Sequence, residues 1–319
     1  MAEALVMTVT GPMPATALGI TDAHDHLVMR SPALPGQDLD DLERSTAEVR
    51  GAKERGIGAI VELTPIGLGR RPALLRRISE QTGVPIIGAT GFHRDVHYPA
   101  GHWAINAPVE LLAERIVADL LDGMHPNDWD DDSPPDSARA GVIKAGASYQ
   151  HISDAERRRL AAIAVGSNRS GAAIVVHTEI GTCGHEIVDL LEADGVPTHR
   201  VILAHLDRNP DLQLHAEICS RGVSLVYDTV GRIKYRPDSV LLDLIEGMVT
   251  AGHGERLLLG LDLGMRDYFT SYGGGPGMCY LMDTFVPRLR RRLGDGPMDT
   301  ILVANPARAF ALAPVTAPA

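Results

Sequence analysis

The chain has 319 residues, 45% hydrophobic and 22% charged, an ordinary globular composition with ample apolar content for one large core. Its 41 acidic against 30 basic residues give a formal net charge of −11, which argues against nonspecific nucleic-acid binding, since that needs a basic face. Three cysteines (Cys183, Cys219, Cys279) with no Cys-x-x-Cys exclude a disulfide framework and suit a reducing compartment.

The N-terminus lacks a basic stretch followed by an apolar one, and no apolar run approaches about 20 residues. The expectation is a cytoplasmic protein without a membrane segment. In chain order, the short apolar runs that read as strands are Leu18–Thr21, Gly58–Leu63, Val84–Thr90, Gly141–Ala145, Ala173–His177, Val201–His205, Val223–Tyr227 and Leu257–Asp262. They are continuous rather than alternating, as expected of parallel strands covered on both faces.

Helical segments lie between them. Leu39–Arg55 ends at Gly56, Arg71–Thr82 at Gly83, and Pro108–Leu121 starts on a proline and stops before Gly123. Ser153 and Glu156 have capping-box spacing and open a helix to Val165. Gly184–Ala193, Pro210–Arg221 and Ser239–Ala251 complete the set. Strands alternating with helices over this length predict an α/β fold, a (β/α)8 TIM barrel, as a single domain over 1–319. A doubly wound open sheet is the alternative, but no Gly-x-Gly-x-x-Gly follows the first strand. The acidic stretch Asp128, Asp130, Asp131, Asp132 and Asp136 reads as a solvated loop, and 310–319 as a loosely ordered Ala/Pro-rich tail.

The polar chemistry gathers at one end of the runs. His24 and His26 follow the first, and residues i and i+2 of an extended strand share a face. Lys144, His177, His205 and Asp262 close later runs. In a barrel the C-terminal strand ends ring one mouth. Four imidazoles and a carboxylate there exceed the needs of one tetrahedral ion and suggest two cations. Lys144 is then either neutral, carboxylated by carbon dioxide to an oxygen ligand, or, in a metal-free site, paired with Asp262. His93, His97, His102 and His151 read as solvated or packing residues, Tyr98 as a packing residue, and Trp103 and Trp129 as possible lid material.

These residues resemble the phosphotriesterase family of the amidohydrolase superfamily. The resemblance is carried by Asp22–His26, Gly141–Gly146, Val176–Glu179, Ala204–Arg208 and Gly260–Asp262. It continues through Tyr272–Gly277, Phe285–Leu289 and Ala304–Arg308. It implies a metal-dependent hydrolase with two divalent ions, usually zinc. His24, His26 and Asp262 would bind the buried ion, His177 and His205 the exposed one, and N6-carboxylated Lys144 would bridge them. Asp25 stands where the family often has Glu, at a position that points away from the metals. The implied mechanism is attack on a carbonyl or phosphoryl group by a metal-bridging hydroxide, with Asp262 as the catalytic proton carrier.

Substrate choice falls to the loops after the last two runs. Arg232, Lys234 and Arg236 sit in one, Arg266 and Tyr268 in the other. They resemble the branch that opens phosphorylated sugar lactones, which assigns phosphate binding to Lys234, Arg266 and Tyr268. The alternatives are a lactonase for unphosphorylated or acyl lactones with side activity on organophosphates, and a non-catalytic barrel binding protein. The expected partner is a small lactone or ester, with no nucleic acid or membrane, and a homodimer is common in the family.

Overall fold

A computed structural model describes residues 3–315. Eight parallel strands follow one another around a ring: β3 (Thr21–Asp25), β4 (Ala59–Glu62), β5 (Ile86–Gly91), β6 (Val142–Ala147), β7 (Ala173–Thr178), β8 (Val201–Ala204), β9 (Ser224–Tyr227) and β10 (Leu257–Leu259). Each pairs with the next in sequence. The seam between first and last closes where Leu261 and Asp262 N–H groups both donate to the His24 carbonyl, at 3.1 and 2.9 Å. Gly260 permits this approach, because a Cβ there would stand 2.8 Å from the His24 nitrogen.

Two apolar layers follow from continuous strand burial. The lumen is filled by Val61, Ala89, Val142, Val175, Ile202, Val226 and Leu258 among others. The larger layer lies between strands and helices and includes Ile60, Ile86, Ile143, Ile174, Leu203 and Leu225. The expected barrel is therefore the observed one, with alternate residues of the same run serving different layers.

Most helices stand where periodicity placed them. Gly184–Ala193 keeps the same bounds. The capping box is formed: Ser153 Oγ accepts from Glu156 N at 3.1 Å, and Glu156 Oε2 accepts from Ser153 N at 2.9 Å. That helix runs on to Ser170, further than expected, and stops at Gly171 with φ 77°.

The structure departs from the expectations, or adds to them, at several places. The first barrel strand is Thr21–Asp25, not Leu18–Thr21, so His24 lies within it. The apolar-run criterion missed it because this strand buries Asp22, His24 and Asp25 completely. An antiparallel hairpin, β1 (Leu5–Thr8) with β2 (Gly11–Pro14), precedes the barrel, and Val9 N donates to Ile86 O at the start of β5. After β10 the chain winds through Val286–Leu293, Asp295–Asp299 and Asn305–Ala309, with π-helical turns at Leu281–Phe285 before the first and Thr300–Ala304 before the last. Pro287, Gly294, Pro297 and Pro306 had interrupted its periodicity. The acidic stretch is not wholly solvated either: Asp128 is buried 3.4 Å from the fully buried Arg70, and Asp136 pairs with Arg76 at 2.6 Å.

The chain from Phe310 to Ala313 is held, against the loose tail expected from 310. Phe310 is fully buried in the lumen cluster with Val6 and Leu18, at the end closed by the hairpin. Leu312 N donates to Leu5 O and Ala313 N to Gly171 O. The remainder of that expectation, 316–319, lies outside the described residues. Phe310→Ala should cost about 3–5 kcal/mol through the cavity it opens. The check is a lower urea midpoint at unchanged slope.

Candidate metal centre

At the C-terminal mouth, six imidazoles form a contiguous series. Ring centroids are 4.0 Å apart for His97–His93, 4.6 Å for His93–His177, 4.4 Å for His177–His205, 5.2 Å for His205–His24 and 5.4 Å for His24–His26. Burial holds His24, His177 and His205 well below the usual imidazole range, reinforced by Lys144 for His24, by the neighbouring His205 and Arg94 for His177, and by Arg208 for His205. Burial lowers His26 as well. Neutral imidazoles are the form that binds metal.

Each of the four has one nitrogen engaged by protein. His24 Nδ1 and His205 Nδ1 lie 2.6 and 2.7 Å from the two oxygens of Asp228. His26 Nδ1 lies 2.9 Å from Thr64 Oγ1, which itself donates to Glu62. His177 is reversed: its Nε2 lies 2.7 Å from Glu179 Oε2. A carboxylate can only accept, so the engaged nitrogens of His24, His177 and His205 carry the proton and the other nitrogen keeps its lone pair.

Two of the freed nitrogens converge with Asp262. Asp262 Oδ1 stands 3.5 Å from His24 Nε2 and 3.4 Å from His26 Nε2, and the three donors lie within 4.8 Å of one another. Lys144 Nζ is 3.2 Å from His24 Nε2. His24, His205 and Asp228 are as compact. There, however, the contacts are Nδ1 to carboxylate, so Asp228 aims two ligands rather than acting as one.

The floor beneath is acidic. Burial pushes Asp22 and Glu62 each up to about 7, and burial with the charge of Asp22 pushes Asp25 upward. Burial, with Asp207 and Asp262 nearby, pushes Asp228 upward. Buried carboxyls crowded below neutral imidazoles fit divalent cations, which relieve the repulsion. Asp25 Oδ1 accepts from Leu263 N at 2.7 Å and from His26 N at 3.1 Å, a backbone-bracing role away from the convergent donors. Asp262 behaves differently. Burial would raise it, but Arg232, His205 and His24 together hold it well below the carboxylate range. Burial lowers Lys144 to about 8. Lys144 is not ion-paired with Asp262; Arg208 and Arg232 take that place, at 2.8 and 2.7 Å from Oδ2.

A cavity of about 170 Å³ opens over these groups. One side is cationic: Arg94, Arg208, Arg232 and Lys234, with Tyr235 and Tyr268. The Arg208 guanidinium sits 4.4 Å from the Tyr235 centroid, and that of Arg232 4.6 Å from Tyr268. The other side carries Met29, Leu34, Leu68 and Met265. Lys234 and Tyr268 both line this cavity. Arg266 does not: its guanidinium lies 4.9 Å from the Tyr272 ring, and Met265 faces the cavity instead. The register of the loop turned one residue from the expectation, and Arg232 stands against Tyr268. His93 and His97 pack ring against ring, one of the two expected roles, and both line the cavity. Tyr98 packs, as expected, donating to Ile66 O at 3.2 Å. Trp103 and Trp129 flank Arg115 rather than line the mouth. Sequence reasoning passed over Asp228 and Glu179, although Asp228 directly follows an apolar run as the other site residues do.

The phosphotriesterase family model matches residues 4–310. A phospho-furanose lactonase of Mycoplasmopsis synoviae (strain 53) is 31% identical over 327 residues, covering 98% of this chain and 93% of its own. The crystal structure of an amidohydrolase from Mycoplasma synoviae superposes with a TM-score of 0.94 at 30% identity, over 99% of this chain and 94% of that one. A lactonase from Listeria monocytogenes superposes with a TM-score of 0.90 at 27% identity, over 97% and 100%.

Asp228→Ala should weaken metal binding by about 10- to 100-fold, since two imidazoles lose their orienting acceptor. Competition against a chelator, on protein shown to be folded by circular dichroism, measures it.

Proposed function

The chain belongs to the phosphotriesterase family and is a metal-dependent hydrolase of ester bonds; on that premise we propose that it is a binuclear lactonase opening a phosphorylated sugar lactone. The observation that carries the substrate is the cationic wall of Arg232 and Lys234, backed by Tyr235 and Tyr268, in the same cavity as Asp262.

In this reading His24, His26 and Asp262 hold one ion, His177 and His205 the other, and Lys144 reaches both, with zinc the expected metal. Bound divalent ions would acidify a water and polarise the lactone carbonyl. Burial makes Lys144 a better nucleophile toward carbon dioxide: with its amine lowered to about 8, a fraction is neutral at physiological pH. The Nζ lone pair forms a bond to carbon, a proton leaves to solvent, and the carbamate anion replaces a cation in the centre. Asp262, kept ionised with Arg232 foremost and paired through Oδ2 with Arg208 and Arg232, lines the cavity. There it accepts the proton of the attacking water and returns it to the departing ring oxygen. Lys234 and Arg232 bind the phosphate, and the tyrosine faces fix their heads. Arg266 drops out of this set.

The apolar side, Met29, Leu34, Leu68 and Met265, favours a second reading, a lactone without phosphate that carries an alkyl substituent. A panel of matched lactones with and without phosphate separates the two. The first reading expects phosphate to raise kcat/KM. It expects Lys234→Ala to raise KM for phosphorylated substrates about 10- to 100-fold, the worth of a charged hydrogen bond, and Arg266→Ala to change it less than about twofold. Equal rates with and without phosphate reject it.

Carbamate formation needs the free amine. Reconstitution of chelated enzyme with zinc and a fixed concentration of dissolved carbon dioxide should therefore be slower at pH 6 than at pH 8, on the order of 50-fold for an amine titrating near 8. Rates independent of pH would remove Lys144 as the reacting amine.

A further inference from the structure

We infer that Glu179 is a positioning residue for the second cation, acting by fixing the tautomer of His177. Three of the four site imidazoles are engaged through Nδ1 by groups of the barrel floor and end, Asp228 and Thr64. His177 alone is engaged through Nε2, and its partner comes from the cavity wall two residues along the chain. The Nε2–H proton goes to Glu179 Oε2 at 2.7 Å, so Nδ1 is the only lone pair His177 offers.

The local backbone is built for this. Directly after Glu179 the chain folds back through Ile180 with φ 51° and ψ 34°, and Gly181 with φ 69°. The left-handed region is costly for a β-branched residue and persists only where the surroundings demand it. Gly181 is pressed against the turn that follows His205, with a Cβ there meeting Asn209 Cβ at 3.0 Å and Leu206 O at 3.1 Å. Thr182 Oγ1 donates to Glu179 O at 2.8 Å, closing the turn. The carboxylate is held from the far side by Arg94 Nη2, 2.9 Å from the same Oε2. Arg94 descends from the loop after β5, so two loops fix the acceptor of one imidazole.

This inference rests on the two-cation reading of the centre but not on any particular substrate. The first test needs no metal: 15N-histidine NMR of the chelated enzyme, with His177 assigned by comparison with His177→Gln. The expected result is a proton on Nε2 of His177 in wild type and in Glu179→Gln, whose amide oxygen still accepts, and a mixed tautomer in Glu179→Ala. The second loads the proteins with zinc and carbon dioxide and counts metal by mass spectrometry after gel filtration. Wild type and Glu179→Gln should hold two ions per chain. Glu179→Ala should hold one, with the second bound about 10- to 100-fold more weakly. A proton on Nδ1 in wild type overturns the inference, and so does a Glu179→Ala enzyme that binds the second ion as tightly as wild type. A Glu179→Gln enzyme as impaired as Glu179→Ala overturns it too, by assigning the effect to charge. Should Glu179→Ala not fold, the wild-type and Glu179→Gln spectra decide alone. Wild type holding a single ion would instead defeat the two-cation reading.

Discussion

The centre depends on one carboxylate shared by two imidazoles. Asp228 accepts from His24 at 2.6 Å and from His205 at 2.7 Å, and these residues come from strands on different sides of the barrel. That pair of bonds sets two ring planes at once. Asp228 is itself anchored by position: its N–H and that of Thr229 donate to Asp207 Oδ2 at 3.1 and 2.8 Å. A chain of acceptors thus runs from a buried acid, through backbone, to a second acid and then to two ligand atoms. Buried anions this close repel unless cations stand among them. Arg208 supplies part of that charge, and divalent ions held at the convergent nitrogens would supply the rest.

The barrel contributes more than a rim of side chains. Its seam closes through the carbonyl of His24, so the same residue carries a ligand ring and the hydrogen bonds that join first strand to last. Three site positions leave their strands through left-handed backbone that is not glycine: His205 with φ 67°, Asp262 with φ 51° and Ile180 with φ 51°. Such conformations cost on the order of 1–3 kcal/mol each. They turn His205 and Asp262 out of the sheet plane toward one point, where regular strand geometry would send neighbouring residues to opposite faces.

The ring of strands was legible because seven of the eight are apolar on both faces, and such runs stand out. The first strand was displaced by the same rule, because its core positions are Asp22, His24 and Asp25. The site residues His24, His26, Lys144, His177, His205 and Asp262 were visible as polar punctuation at strand ends, and the structure gathers them at one mouth. What supports them was not visible. Glu179 and Asp228 act through hydrogen bonds set by a strained turn and by the pairing of distant strands, and neither leaves a periodic trace. The Met265–Arg266 register failed for a related reason. In the turn after Asp262 no alternation tells which of two neighbours faces inward, and that is decided by Arg266 settling on Tyr272.

The charge distribution completes the logic of the cavity. The chain carries a formal net charge of −11, yet Arg94, Arg208, Arg232 and Lys234 all face one small space. The three arginines are held by carboxylate partners, and Lys234 is exposed with its head beside a tyrosine ring. Arg94 is tied to Glu179, Arg208 and Arg232 share Asp262 and lie over tyrosine rings, and the Lys234 head is 4.9 Å from the Tyr235 ring. Fixed cations of this kind lose little entropy when an anion arrives. Their field is local, because the acidic exterior opposes it at a distance. Arg232 is also first among the groups that keep Asp262 ionised, and Arg208 pairs with the same oxygen. An anionic substrate drawn toward them would share their charge with Asp262 and leave that carboxylate a stronger base at the moment the ester is in place.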